Sequence, residues 1–212
     1  ISAAMGSVAV TNQNIINAVH DRNLVVPDKK RSSDSEHGAA GAHVPDPIIG
    51  LHEWVGIIDI NSLYPSVIRA LNMSPETLIG QLRPEMTDLF IKNKLDEGYE
   101  FSEAWEGQFG TLEYQAVMAK DKATEITIDW VNGTTSVGTG AEIYELIWNS
   151  NEKMVLSANG TILTLEKEGI IPTLLRDWYF DRKRLQKNKT LAQALATGIQ
   201  LPDNFLDELK DA

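Results

Sequence analysis

Asp59 closes the apolar run Val55-Gly56-Ile57-Ile58, and Asn61-Ser62-Leu63-Tyr64-Pro65 takes the chain into a turn. A carboxylate at the end of an apolar strand suits two chemistries: attack on a phosphoryl group as a nucleophile, or ligation of a divalent cation through oxygen. The nucleophilic version calls for a second acid two residues on to protonate the leaving group, and that position is Asn61. The metal-ligand version is therefore the stronger. A second chemical feature lies in "RDWYFDRKRLQKNK", which gathers Arg176, Arg182, Lys183, Arg184, Lys187 and Lys189. At 100° per residue on a helix, Arg182, Gln186 and Lys189 form a row along one flank. Each feature taken alone has a plainer reading. Asp59 would cap a turn, Tyr64 would sit in a core, and the basic run would be a solvated helix face.

The elements that would position these residues follow from patterning. Residues 54–60, "WVGIIDI", have the length, apolarity and β-branching of a buried strand, so Asp59 is expected at a strand's C-terminal end. "PSVIRALNM" has helical spacing, with Val67, Ile68 and Leu71 on one face. Ser74-Pro75-Glu76 reads as the cap and first turn of a further short helix. Upstream, residues 11–27 predict a short helix followed by extended "NLVVP", and residues 28–47 a loop rich in Ser, Gly, Ala and Pro. Between 96 and 168, "TEITIDWVNG" and "TILTLEKEG" alternate as strands. Asn132-Gly133 and Asn159-Gly160 mark hairpin turns, and "AEIYELIWN" is a strand or short helix. Ile171 to Thr197 predicts one long helix opening near Pro172, with Leu174, Trp178, Leu185, Ala192 and Leu195 on one side. A turn and a short acidic helix are expected after it.

Composition bounds the partners. The 212 residues carry 30 acidic and 19 basic side chains, a net charge of -11, which argues against a surface built throughout for nucleic acid but not against a local basic track. There are no cysteines and only four histidines, so a divalent ion would rely on oxygen ligands. No apolar run approaches the roughly 18 residues that span a bilayer, and a cytoplasmic location is the expectation.

"DINSLYPSVI", Asp59 to Ile68, resembles the Asp-x-x-Ser-Leu-Tyr-Pro-Ser-Ile-Ile motif A of family B DNA polymerases, departing from it at Val67. "ALNMSPETLIGQ" resembles its continuation in the replicative polymerases of T-even-type phages. "SANGTI", "EGIIP" and "DRKRLQKNK" resemble, in order, the approach to the fingers. "IINAVHDRNLVVP" and "GAHVPDP" resemble the segment joining exonuclease to palm. The resemblance implies an α+β fold: a connecting segment at 1–50, part of a palm at 51–95 with an antiparallel sheet around Asp59, a β-rich insertion at 96–168, and the start of the fingers at 169–212.

The resemblance also implies roles. Asp59 would bridge two Mg2+ ions, with the Ile60 carbonyl as a further ligand, and the amides of Ser62 and Leu63 would hold phosphate oxygens. Tyr64 would exclude a ribose 2′-hydroxyl, and Arg182 would grip the triphosphate of the incoming deoxynucleotide. The family commonly has lysine where Gln186 stands, and Lys189, one turn on along the same flank, would be the substitute cation if the helix is placed slightly differently. Gly41 and Ala42 are small enough to let a template strand approach the backbone. The family's Asp-Thr-Asp turn and Lys-x-x-x-Asn-Ser-x-Tyr-Gly helix do not occur in this sequence. The expectation is a fragment of a DNA-directed DNA polymerase, inactive alone and completed by a second chain. The alternative is a non-catalytic module that binds DNA or a subunit.

Overall fold

A computed structural model describes residues 6–26, 46–60, 62–108 and 110–198 of the chain. Strand-forming stretches between residues 78 and 164 assemble one five-stranded antiparallel sheet. Its strands are β1 (Leu78–Leu82), β2 (Glu125–Trp130), β3 (Thr135–Thr139), β4 (Met154–Leu156) and β5 (Thr161–Thr164), in the order β3-β2-β1-β5-β4. The two hairpins expected at Asn132-Gly133 and Asn159-Gly160 form, with Gly133 and Gly160 at positive φ as such turns require. β1, which sequence patterning did not indicate, is the central strand and pairs with β2 and β5. The sheet thus straddles the boundary expected between residues 95 and 96.

Ile126 and Ile128 of β2, Leu82 of β1, Ile162 of β5 and Leu156 of β4 point into one core. Helices cover it. Ala116 and Val117 come from α5 (Thr111–Met118), Ile143 from α6 (Gly140–Tyr144), and Ile147 from the π-helical turn Glu145–Asn149 that continues α6. α3 (Glu85–Asp96) and α4 (Phe101–Trp105) precede α5, so the segment expected to be β-rich carries helices as well as strands. "AEIYELIWN" is accordingly helical and not a strand. The α+β class stands.

α7 (Ile170–Thr197) forms as expected, 28 residues long, with Pro172 in its first turn. Of the residues expected to form its apolar stripe, those described are at most half-buried. Leu174 and Trp178 are half-buried, Leu185 and Ala192 are exposed, Ala194 is buried, and the side chain of Leu195 lies outside the described set. The acidic helix expected after α7 lies outside the described residues, as do residues 28–45 of the expected loop.

The chain divides into two compact units, Ile1–Leu63 and Tyr64–Ala212. In the first, α1 (Ser7–His20) begins four residues before the expected helix. The buried strand expected at 54–60 is not found. Those residues are exposed and in no sheet, with exposures of 61% at Ile60, 95% at Ile58 and 99% at Trp54. A strand exists only through hydrogen bonds to a neighbour, and no described segment supplies them. Trp54 also adopts φ 61°, in the left-handed region, which breaks the pleat at its first residue.

Candidate functional site

Asp59 stands exposed on a segment that belongs to no sheet, and Ile60 beside it is 61% exposed. The chain turns at Ser62, whose φ of 55° is left-handed, and enters α2 (Leu63–Ala70). Tyr64 lies in the first turn of α2 with 67% of its surface exposed, so its ring serves no core. Pro65 fits there because the first-turn amides of a helix have no intrahelical acceptor to lose. Among the described residues, no group of three or more acidic or His side chains is placed to hold a metal ion.

The basic helix sorts its cations. Arg176 is bound by Glu168 and by Asp177, which push its guanidinium pKa up from an already high value. Arg184 pairs with Asp181 at 2.8 Å, and Lys183 lies over the Tyr179 ring at 5.5 Å. Arg182 and Lys189 take part in no salt bridge among the described residues. Both line one shallow concavity of about 380 Å³, with Trp178, Asp181, Leu185 and Gln186. The two predicted cations thus share one face with a neutral amide between them, seven residues and about 10 Å apart along the axis. Such a face can bind an extended anion by charge-assisted hydrogen bonds.

The structure brings Arg182, Gln186 and Lys189 together and places Tyr64 in the same compact unit. Asp59, Ile60, Ser62 and Leu63 belong to the other unit. Gly41 and Ala42, and with them His37 and His43, lie outside the described residues.

Asn72, Ser74 and Glu76 do more than the local cap that sequence predicts for Ser74-Pro75-Glu76. The four amide positions at the start of any helix lack intrahelical acceptors. At α7 the Gly169 amide donates to Asn72 Oδ1 (2.8 Å), Ile170 to Glu76 Oε1 (2.6 Å) and Ile171 to Ser74 Oγ (3.4 Å), while the fourth position is Pro172. Asn72 is 5% exposed, and its Nδ2 donates to the carbonyls of Thr164 (2.7 Å) and Lys167 (2.8 Å). Ser74 does stand at the N-cap of the 3₁₀ turn Pro75–Thr77, where its amide donates to Thr77 Oγ1, but its hydroxyl is turned to Glu76 and Ile171. A cluster of Asn, Ser and Glu within five residues was the available signal.

The family model described as DNA polymerase family B matches residues 5–198. Over 69 residues the chain is 38% identical to the DNA-directed DNA polymerase of Escherichia phage RB69, covering 32% of this chain and 7% of that enzyme. It is 32% identical over 82 residues to the DNA-directed DNA polymerase of Enterobacteria phage T4, covering 39% of this chain and 9% of the relative. The longest of these matches is to the DNA polymerase of Thermococcus hydrothermalis: 25% identity over 199 residues, 80% of this chain and 12% of the relative. The chain therefore spans about a tenth of the length of these relatives. No solved structure matches it.

Proposed function

The chain belongs to DNA polymerase family B, and from that premise we propose that it supplies the motif A part of a nucleotidyl-transfer site together with the first cations of a triphosphate clamp. The observation that carries this reading is the α7 face on which Arg182 and Lys189, outside every salt bridge among the described residues, flank Gln186. A triphosphate is an extended polyanion. Arg182 offers forked donors to its oxygens, Gln186 a neutral amide, and Lys189 a point charge that stands in for the lysine the family has one turn earlier. The exposed ring of Tyr64 is free to lie beneath the sugar and reject a 2′-hydroxyl by bulk. The left-handed Ser62 supplies one of the two backbone conformations that turn successive amides toward an anion, here those of Ser62 and Leu63.

Asp59 and the Ile60 carbonyl are hard oxygen donors of the class magnesium prefers, but two donors leave most of an octahedral shell to water. In a two-metal site the ions clamp the attacking and leaving oxygens, and the remaining ligands would come from a polypeptide bearing the Asp-Thr-Asp turn. Primer-template DNA and deoxynucleoside triphosphates are the proposed substrates of that assembled enzyme. The small residues Gly41 and Ala42 would border its template strand.

Titration with a fluorescent deoxynucleoside triphosphate tests the clamp. Arg182→Ala and Lys189→Ala are each expected to weaken binding about tenfold, the worth of a charged hydrogen bond. Arg184→Ala, already paired with Asp181, should change it less than about twofold. Equal losses at all three positions would reduce the helix to a generic basic surface. Primer extension is expected only when a polypeptide with the missing motifs is added, and Asp59→Asn should abolish it.

One observation favours the association reading beside this one: the exposed run Ile48, Ile49, Leu51, Trp54, Ile57 and Ile58 is the surface of a chain that docks on another polypeptide. Co-sedimentation with the completing polypeptide, with or without extension, separates the two readings.

A further inference from the structure

The start of α7 is closed by residues that lie almost a hundred positions earlier in the chain. Its N-cap, Gly169, has no side chain with which to cap locally. A Cβ there would meet the Cβ of Ser74 at 2.7 Å, so glycine is what permits the approach. Every orphan position of the helix start is accounted for by Asn72, Ser74, Glu76 and Pro172, which has no N–H to satisfy. The Glu76 carboxylate also sits at the positive end of the helix dipole. Asn72 is itself fixed, with φ 53° and two carbonyl acceptors at the end of the β4–β5 hairpin. A second tie follows farther along α7, where the Arg69 guanidinium of α2 lies 5.6 Å from the Tyr179 ring centroid.

Beyond that tie every side chain from Asp181 to Gln186 is exposed, and burial returns farther on, at Leu191 and Ala194. Over the stretch that carries Arg182 the direction of α7 is therefore inherited from its root. Arg182 stands twelve residues from Ile170, about 18 Å along the axis, so a tilt of about 10° at the root displaces it by about 3 Å. Displacements of about 1 Å are enough to disable a positioned group.

We infer that Asn72 and Glu76 are positioning residues: they clamp the root of α7 to the segment that follows α2 and so hold Arg182 and Lys189 in fixed relation to Tyr64. The clamp stands on the hydrogen bonds alone, whereas its service to a nucleotide rests on the function proposed above.

The chain contains no cysteine, so Val137→Cys on the exposed edge of β3 and Asn188→Cys on α7 give two unique sites for spin labels in the full chain. The distance distribution between them is expected to be narrow in the otherwise unsubstituted protein and to broaden with Asn72→Ala or Gly169→Ala. Amide exchange at Ile170 and Ile171 should rise about tenfold in both variants, while Ile126 and Ile128 in the sheet stay protected. Glu76→Gln keeps the acceptor oxygen and the side chain's shape, so it should fall between the two, and Glu152→Gln should match the unsubstituted protein. Should Asn72→Ala lose the sheet's protection as well, Gly169→Ala and Glu76→Gln carry the comparison. Distances and exchange unchanged in these variants would overturn the clamp. A broadened distribution, in a chain that binds no triphosphate even unsubstituted, would support the clamp and sink the nucleotide reading instead.

Discussion

Glu113 shows what a buried charge demands of its neighbours. It is 1% exposed on α5, and both carboxylate oxygens are engaged by Thr87: the backbone amide donates at 2.8 Å and the hydroxyl at 2.5 Å. The carboxylate thus caps the first turn of α3 from another helix. Thr87→Val keeps the volume and removes the hydroxyl, leaving one oxygen of a buried carboxylate short of a donor. The expected cost is about 2 kcal/mol, read as a lower urea midpoint with an unchanged slope. Asp59→Asn is the contrast. Its side chain is exposed, so unfolding should shift by less than about 0.5 kcal/mol even though extension by the assembled enzyme is lost. The same contrast explains what could be read from sequence at this scale. The proposals for Asp59, Tyr64 and Arg182 come from sequence because motif chemistry is local. The partners of Asn72 and Glu76 were not, because the amides they satisfy lie 97 and 94 positions away.

At the scale of elements, packing sets sharper limits than pattern does. Gly140 opens α6 where an added Cβ would come within 2.6 Å of the Ala116 carbonyl oxygen and 2.9 Å of that of Asp121. Both obstacles are backbone, so relief requires α5 and α6 to part. Gly140→Ala is expected to destabilise by about 1–3 kcal/mol in urea unfolding, although alanine is the better helix former. Electrostatics act on the same elements. The Arg83 guanidinium holds the Asp129 carboxyl of β2 below its ordinary pKa, and hydrogen bonds from the Thr139 amide and hydroxyl do the same for Glu142 at the start of α6. A carboxyl lowered in the folded state contributes stability that is fully present above its unfolded pKa of about 4 and is lost as pH falls through the lower folded value. Urea midpoints should therefore hold level from neutral pH to about 5 and decline below about 4, with Asp129→Asn flattening part of the decline. The hairpins and α7 were legible because turn residues and helical spacing are written locally. Residues 54–60 misled because an apolar β-branched run specifies extension but not the partner that makes a strand. β1, whose Gly80 lies where a Cβ would meet the Trp130 ring at 2.9 Å, lacks the residues that advertise a strand and owes its place to β2 and β5.

For the whole molecule, the distribution of apolar surface decides behaviour in solution. The unit from Tyr64 onward holds a packed core of Leu82, Ile126, Ile128, Ile147 and Ile162, each no more than 2% exposed. In the unit before it, α1 buries no residue, and Ile49, Leu51, Ile57 and Ile58 are each at least 89% exposed. An exposed apolar segment that belongs to no sheet is a surface another chain can cover, including a second copy of itself. Opposing that is the net charge of -11, which makes copies repel over distances set by ionic strength. Salt separates these terms because it screens the repulsion and leaves apolar burial intact. Raising salt from about 0.05 M to about 0.5 M should therefore promote self-association in sedimentation velocity. Ile49→Asp combined with Ile58→Asp should keep the chain monomeric at both ends of that range. Salt that dissolved the complexes would point elsewhere, to contact between the basic face of α7 and the acidic stretch from Asp96 to Glu106, and would remove the apolar segment as the seat of association.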